Sequence, residues 1–343
     1  MSKYDEYRAL VYFRQSVIQR WLGKIHRGRI CVRNRLPDAK FVGAVKNNDR
    51  AKYVNLMLCK NLWTCPYCAN IASHNRRNTI QRAITALDKQ GASMAFVTYT
   101  IRHSAKDSLE TVLSAVLTAH AATHSGKGWK TIEARHDWIG SIKICEVTDG
   151  VNGWHFHLHE IGFIKGAFNR EKLEGDLIDR WLSEVQKAGG SADREHGLKI
   201  KNADSAVRDY VSKWGLVPEL ASGADKKAHR DGALPFQFPD IALQTPKRAG
   251  WARTRFEEYA KAIKGVKQIW ASPSVRPFMT HEINDDKGGT FDETQLHRLT
   301  DGDWQLIKRR GVRALFLSYF EHGLVDEFLE ALYDQSPIPK LEG

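Results

Sequence analysis

At 343 residues, with 42% apolar and 27% charged side chains, the chain has the composition of a globular protein large enough to bury one or two cores. No apolar run approaches the ~18–20 residues needed to cross a bilayer, and the opening MSKYDEYRAL lacks the basic–apolar–small order of a signal peptide. No membrane partner is therefore expected, and the chain is expected to stay in the cytoplasm. Lys and Arg number 52 against 40 Asp and Glu, a net charge of +12 that suits a polyanionic partner, because neutralised phosphates release counterions. Ten Trp and ten Tyr offer faces on which unpaired bases can stack.

The first segment, to about residue 86, is basic and holds four of the five cysteines: Cys31, Cys59, Cys65 and Cys68. An odd number at uneven spacing argues against a disulfide framework and for metal or redox use of a subset. Cys65-Pro66-Tyr67-Cys68 has the form of a glutaredoxin dithiol, which sits in a small βαβ domain. A third thiol six residues upstream, at Cys59, and the following Arg76 and Arg77 favour structural zinc. His26 is taken as the fourth ligand, with Cys31 as the alternative and His74 behind both. Cys145 is read as buried packing.

Residues 94–101 read as a buried strand and 107–124 as a helix. Two strands follow, over 139–147 and 154–164, parted by a hairpin-like turn containing Asp149, Gly150, Asn152 and Gly153. A helix is expected over 169–188, a short strand over 197–202 and a helix over 203–214, broken by Gly215 and Pro218. Residues 221–250, rich in Gly, Pro and Ala, read as a loop-rich insertion. A helix over 251–264, a strand over 266–272, a polar stretch over 283–290 and two helices within 302–333 complete the chain. Strands mixed with helices and hairpins, without regular alternation, predict an α+β fold with a mainly antiparallel sheet.

Trp154-His155-Phe156-His157-Leu158-His159 alternates without a break. In a strand the three histidines share one face, and the apolar residues anchor the other. Glu146, on the preceding strand, can supply a carboxylate across the sheet. Two imidazoles and a carboxylate suit Mg²⁺, Mn²⁺ or Zn²⁺. A half-exposed strand with incidental histidines is the bland alternative; strict alternation against an apolar face favours metal. Further on, Tyr210 and Lys213 share a helical face. A phenol of pKa ~10 needs a cation to act as a nucleophile at neutral pH, and Lys213 can stabilise its anion or hold the phosphate under attack.

Taken together, LMLCKNLWTCPYCANIASHNRR, FVTYTIRHS with DSLETVLSAV, IKICEVTDGVNGWHFHLHEIGFI, DSAVRDYVSKWG with PEL, and FEEYAKAIKGVKQIWASPSVR resemble the motifs of plasmid rolling-circle replication initiators. These are the bacterial Rep branch of the HUH endonuclease superfamily that carries an N-terminal zinc-binding segment. The resemblance covers roughly residues 55–280. It implies a nickase domain with a central five-stranded antiparallel sheet and packed helices, the histidines on a central strand and the tyrosine on a helix. It further implies His157 and His159 as paired ligands for Mg²⁺ or Mn²⁺, Glu146 as the third, His155 as an accessory histidine, Tyr210 as the nucleophile and Lys213 as its partner. Cleavage by such an enzyme gives a 5′-phosphotyrosine and a free 3′-OH primer, and later rejoining needs no ATP.

The organisation implied is a zinc-binding segment over 1–86, a nickase domain over 87–280 and a helical tail over 281–343. Expected partners are single- and double-stranded origin DNA, with Arg102 and His103 as candidate contacts, and a host helicase, since no G-x4-G-K-[ST] phosphate loop is present. The tail is left to meet DNA, a helicase or a second copy in a homodimer. One departure concerns termination: some family members carry a glutamate four residues before the tyrosine, where this chain has Ala206, and Asp204, Asp209 and Glu219 are the nearby acids. A transposase using the same chemistry and a non-catalytic zinc-containing DNA-binding protein are the competing readings. Tyr210 stands alone in its helix, against a two-tyrosine transposase, and a binding protein leaves the histidine strand unexplained.

Overall fold

Two antiparallel sheets organise the computed structural model, which describes residues 2–47, 50–202, 232–279 and 296–341, the side chains of His74 and Asn202 excepted. The chain divides into two units, one built from residues 1–71 with 283–343 and the other from residues 72–282. The division differs from three consecutive segments, because both chain ends contribute to the first unit.

In that unit helix α1 (Lys3–Trp21) opens with a reciprocal cap, Ser2 accepting from the Asp5 amide while the Asp5 carboxylate accepts from the Ser2 amide. Strands β1 (Val42–Asn47) and β2 (Arg50–Val54) form a hairpin, and β8 (Leu296–Leu299) adds to the free side of β1. Three helices follow, Asp301–Arg310, Arg313–Glu321 and Val325–Tyr333, where two were expected. Gly311 in a left-handed conformation (φ 72°) ends the first of them. Tyr53 of β2 stacks on Phe316 at 5.8 Å, and buried Arg8 bridges Asp5 and Glu321 at 2.6 and 2.7 Å. The two ends of the chain thus share one core.

The second unit is an α+β sandwich. Its five strands are β3 (Ala92–Tyr99), β4 (Trp138–Gly150), β5 (Gly153–Lys165), β6 (Leu198–Asn202) and β7 (Ile269–Ala271). They run in the order β6-β3-β5-β4-β7, every neighbour antiparallel, which places β5 at the centre. The turn between β4 and β5 depends on Gly153, which lies at φ +82° and whose added Cβ would meet the Ala105 backbone at 2.8 Å.

One face of the sheet packs Phe96, Ile142, Ile144, Ile161 and Phe163 against Ile80, Ala83, Ile84 and Leu87 of helix α2 (Pro66–Asp88). The other face lies under α3 (Leu109–Thr123), with α5 (Arg170–Lys187) packed on α3 and β6. Between them in sequence, α4 (Gly126–Arg135) precedes β4. Residues 235–248, expected as loop, contain helical turns, and Phe238–Gln244 leads into Ala249–Ala262. Prolines at the start of three of these elements, Pro235, Pro239 and Pro246, stand where a helix has no use for an N–H, so they begin turns rather than break them. Arg255 of the last helix pairs with buried Asp149 and lies 4.1 Å over the Trp154 ring, tying the end of the β4–β5 hairpin to it.

Gly162 on β5 has the Trp138 ring where its Cβ would stand. Gly162→Ala should therefore lower stability by about 1–3 kcal/mol through overpacking, read as a shift in the denaturant midpoint at constant slope.

Candidate functional site

Along β5 burial alternates as the sequence predicts: Trp154, Phe156 and Leu158 are buried, and His155, His157 and His159 are half-buried on the opposite face. Register sets Glu146 of β4 opposite His157 and Thr98 of β3 opposite His159. His159 donates from Nε2 to Glu146 Oε2 at 3.1 Å, and its Nδ1 lies 3.0 Å from the Thr98 hydroxyl. Since the carboxylate can only accept, the proton sits on Nε2 and Thr98 donates to Nδ1. The rings of His157 and His159 are near-parallel at 5.6 Å, His155 lies 3.7 Å from His157, and Phe96 stacks under His159 at 5.3 Å.

The electrostatics favour neutral imidazoles, the form that ligates metal. Burial, aided by the neighbouring histidines, lowers His157 to about 3, and burial with His103 nearby lowers His155 to about 4. Burial works to raise Glu146, but the hydrogen bond from His159 and the neighbouring histidines outweigh it and hold the carboxyl below its usual range. His157 Nδ1 is buried with no hydrogen-bond partner. With 41% of its side chain exposed, Glu146 leaves the row open to a phosphate or a hydrated cation. A buried ring nitrogen without a partner, beside a carboxylate, fits a divalent cation. The ligand atoms of His157, His159 and Glu146 are not, however, gathered as tightly as two other groups among the described residues, in which every ligand atom lies within 4.8 Å of the others.

His103, in the loop after β3, joins the row: its ring lies 4.6 Å from that of His155, and its Nδ1 donates to the Asn152 carbonyl at 3.0 Å. Neighbouring Arg102 is ion-paired with Asp193 at 3.0 Å on the surface. Tyr210 and Lys213, with Ala206, Asp204, Asp209 and Glu219, lie outside the described residues. The role of Thr98 was not read from the sequence; a hydroxyl three residues from the end of the strand expected over 94–101 was its only trace.

The first tight group is Cys31, Cys59, Cys65 and Cys68, all buried. Sulfur–sulfur separations are 3.5 Å for Cys31–Cys65 and Cys31–Cys68, and 3.7 Å for Cys59–Cys68. Thiolates bound tetrahedrally to zinc at ~2.3 Å stand ~3.8 Å apart, so the cluster can hold structural zinc. The fourth thiol is Cys31 rather than His26, whose Nδ1 instead accepts from the Gly28 amide at 3.0 Å and caps a short turn. The His74 side chain lies outside the described set. Left-handed backbone at Val32 (φ 50°) and Lys60 (φ 54°) follows two of the cysteines, a strained conformation for the β-branched valine that a bound ion would help to maintain. Mutual hydrogen bonding drives Cys59 far below the usual thiol range and pushes Cys31 far above it, so a cation is needed to ionise all four. Gln15 donates to Cys65 Sγ and the Asn61 amide to Cys59 Sγ, both at 3.5 Å. A redox dithiol would not bury four sulfurs in one cluster.

The chain is similar to "Protein rep" of Streptomyces lividans, with 25% identity covering 70% of this chain and 67% of that protein. It is also similar to "Neomycin resistance protein" of Streptomyces cyanogenus, with 28% identity covering 67% of this chain and 70% of that one. No family model matches the chain, and no solved structure matches it. Among the described residues no helix is long and apolar enough to cross a membrane.

Removing the partner that orients a metal-ligating histidine typically costs 10–100-fold in affinity. Thr98→Val should therefore weaken Mn²⁺ binding about tenfold or more in calorimetric titration, without loss of fold. At the cysteine cluster, Cys31→Ser should lose tightly bound zinc while His26→Ala keeps it, as elemental analysis of the purified proteins will show.

Proposed function

We propose that this chain is a replication initiator that nicks one strand of origin DNA, with Tyr210 as the attacking group and His157, His159 and Glu146 holding Mg²⁺ or Mn²⁺. The observation that carries the reading is the row of histidines along one face of the central strand of a five-stranded antiparallel sheet, with Glu146 as their register partner. The similarity to "Protein rep" supplies replication as the process, and the net charge of +12 suits a DNA substrate.

When bound, the cation would polarise a DNA phosphate and make the departing 3′ oxygen a better leaving group. Thr98 would hold His159 for ligation, since transfer of the ring proton from Nε2 to Nδ1 frees Nε2 for a cation and lets Nδ1–H donate to the threonine hydroxyl. His155 and His103 extend the row towards substrate, and Arg102 lies beside it as a phosphate contact. Tyr210, its phenolate stabilised by Lys213, attacks phosphorus in line. The Tyr–O–P bond forms as the P–O3′ bond breaks and the departing O3′ takes a proton from solvent, leaving a 5′-phosphotyrosine and a 3′-OH that primes synthesis. The phosphodiester energy is kept in the covalent link, so rejoining needs no ATP. Strand separation falls to a host helicase, and the cysteine cluster serves as structural zinc. With Ala206 four residues before Tyr210, termination relies on another acid or on the metal site. The setting is the cytoplasm of a bacterium, on a plasmid origin, with a homodimer as the proposed assembly.

A nicking assay on supercoiled origin DNA with Mg²⁺ or Mn²⁺ tests this. The parent should form a covalent protein–DNA adduct, and Tyr210→Phe should form none; nicking by that variant at the parental rate overturns the assignment of the nucleophile. His157→Ala should lose metal-dependent cleavage by about 10–100-fold or more yet still shift duplex DNA in a gel. Loss of both activities would assign His157 to folding instead.

A further inference from the structure

Glu160 follows His159 in β5 but points to the other face of the sheet, where it is fully buried under α3. A buried carboxylate costs several kcal/mol unless positive charge and hydrogen bonds compensate. Glu160 accepts from the Tyr99 hydroxyl at 3.0 Å and the Ser141 hydroxyl at 2.5 Å. Two histidines four residues apart, His120 on α3 and His124 at its C-cap, bring their Nε2 atoms to the same oxygen, Oε2, at 3.2 and 3.1 Å.

His124 is the informative member. Its Nδ1–H donates to the His120 carbonyl at 3.1 Å, which in the neutral ring leaves the lone pair on Nε2. That atom is buried, on a side chain only 9% exposed, and makes no hydrogen bond although a carboxylate oxygen stands 3.1 Å away. Two lone pairs face each other at that separation unless a positive charge lies between them. One ligand atom from each of His120, His124 and Glu160 lies within 4.8 Å of the other two, close enough for one cation to supply that charge to all three. Ligand atoms of a tetrahedral site with bonds of 2.0–2.2 Å stand about 3.3 Å apart, close to both contacts. Two imidazoles and a carboxylate suit zinc and its neighbours.

We propose that His120, His124 and Glu160 form a buried site for a divalent transition cation of the zinc class, on the face of the sheet opposite His157 and His159. The site is independent of nicking. The two imidazoles stack at 4.3 Å and 18°, with both Nε2 atoms beside Glu160 Oε2. Lys143 Nζ stands 3.2 Å from His120 Nδ1 and donates to it.

The test uses the full chain carrying His157→Ala and His159→Ala, loaded with Zn²⁺, desalted and assayed for metal by mass spectrometry. This parent should retain zinc at the cysteine cluster and one further ion. Adding His124→Gln should remove that further ion, and His124→Cys, which restores a ligand, should restore it. Equal zinc in the His124→Gln protein and its parent overturns the proposal and makes the cluster a hydrogen-bonded polar core. Should His124→Gln fail to fold, X-ray absorption of the Co²⁺-loaded parent decides. Nitrogen and oxygen neighbours alongside sulfur support the site, and an all-sulfur environment rules it out.

Discussion

The antiparallel pairing of β5 with β4 on one side and β3 on the other governs what the second unit can do. Side chains alternate along a strand, so a slip of one residue would exchange the histidine row for Trp154, Phe156 and Leu158. Burial of those three side chains opposes the slip, each contributing about 1.5–3 kcal/mol. Arg255, clamped on Asp149 and lying over Trp154, braces the hairpin at its turn end. With the register set, Glu146 must face His157, Thr98 must face His159, and Glu160 must face inward beside His120 and His124. The polar groups on the two faces of the sheet are consequences of one pairing.

The histidine face is divided along its length. Towards one end Phe96, Ile142, Ile144, Ile161 and Phe163 are sealed by α2, and towards the other the histidines are left half open. Dry packing at the sealed end holds the strands, while the open end presents neutral imidazoles and a carboxylate. The shared cause is desolvation. It keeps His155 and His157 unprotonated, and it leaves Glu146 to be stabilised by the donor it has, His159.

In the first unit a different device does comparable work. Two cysteines come from the Cys65–Cys68 turn at the start of α2 and two from loops whose backbone turns left-handed at Val32 and Lys60. Arg313, from a helix near the C-terminus, donates to the Val32 carbonyl and to Gln15, and Gln15 in turn donates to Cys65. The sulfur cluster is thereby wired to both ends of the chain, so an ion held there would support the docking of the last helices as well as the loops that ligate it.

Much of this was legible in local pattern. Strict alternation from Trp154 to His159, the glycine turn before it and the closely spaced thiols at Cys59, Cys65 and Cys68 declare themselves because their geometry is set within a few residues. The helical turns over 235–248 were hidden by prolines that a local reading takes as breakers and the structure uses as first-turn residues. Cys31 against His26, β8 on β1, three tail helices sharing a core with α1, and the meeting of His120, His124 and Glu160 are contacts between residues distant along the chain. The sequence by itself determined which residues could ligate, which face of each strand was apolar and that a sheet with a histidine strand would form. Only the tertiary structure decided which thiol completed the cluster and which polar side chains the core brought together, because those choices rest on long-range packing that no local period encodes.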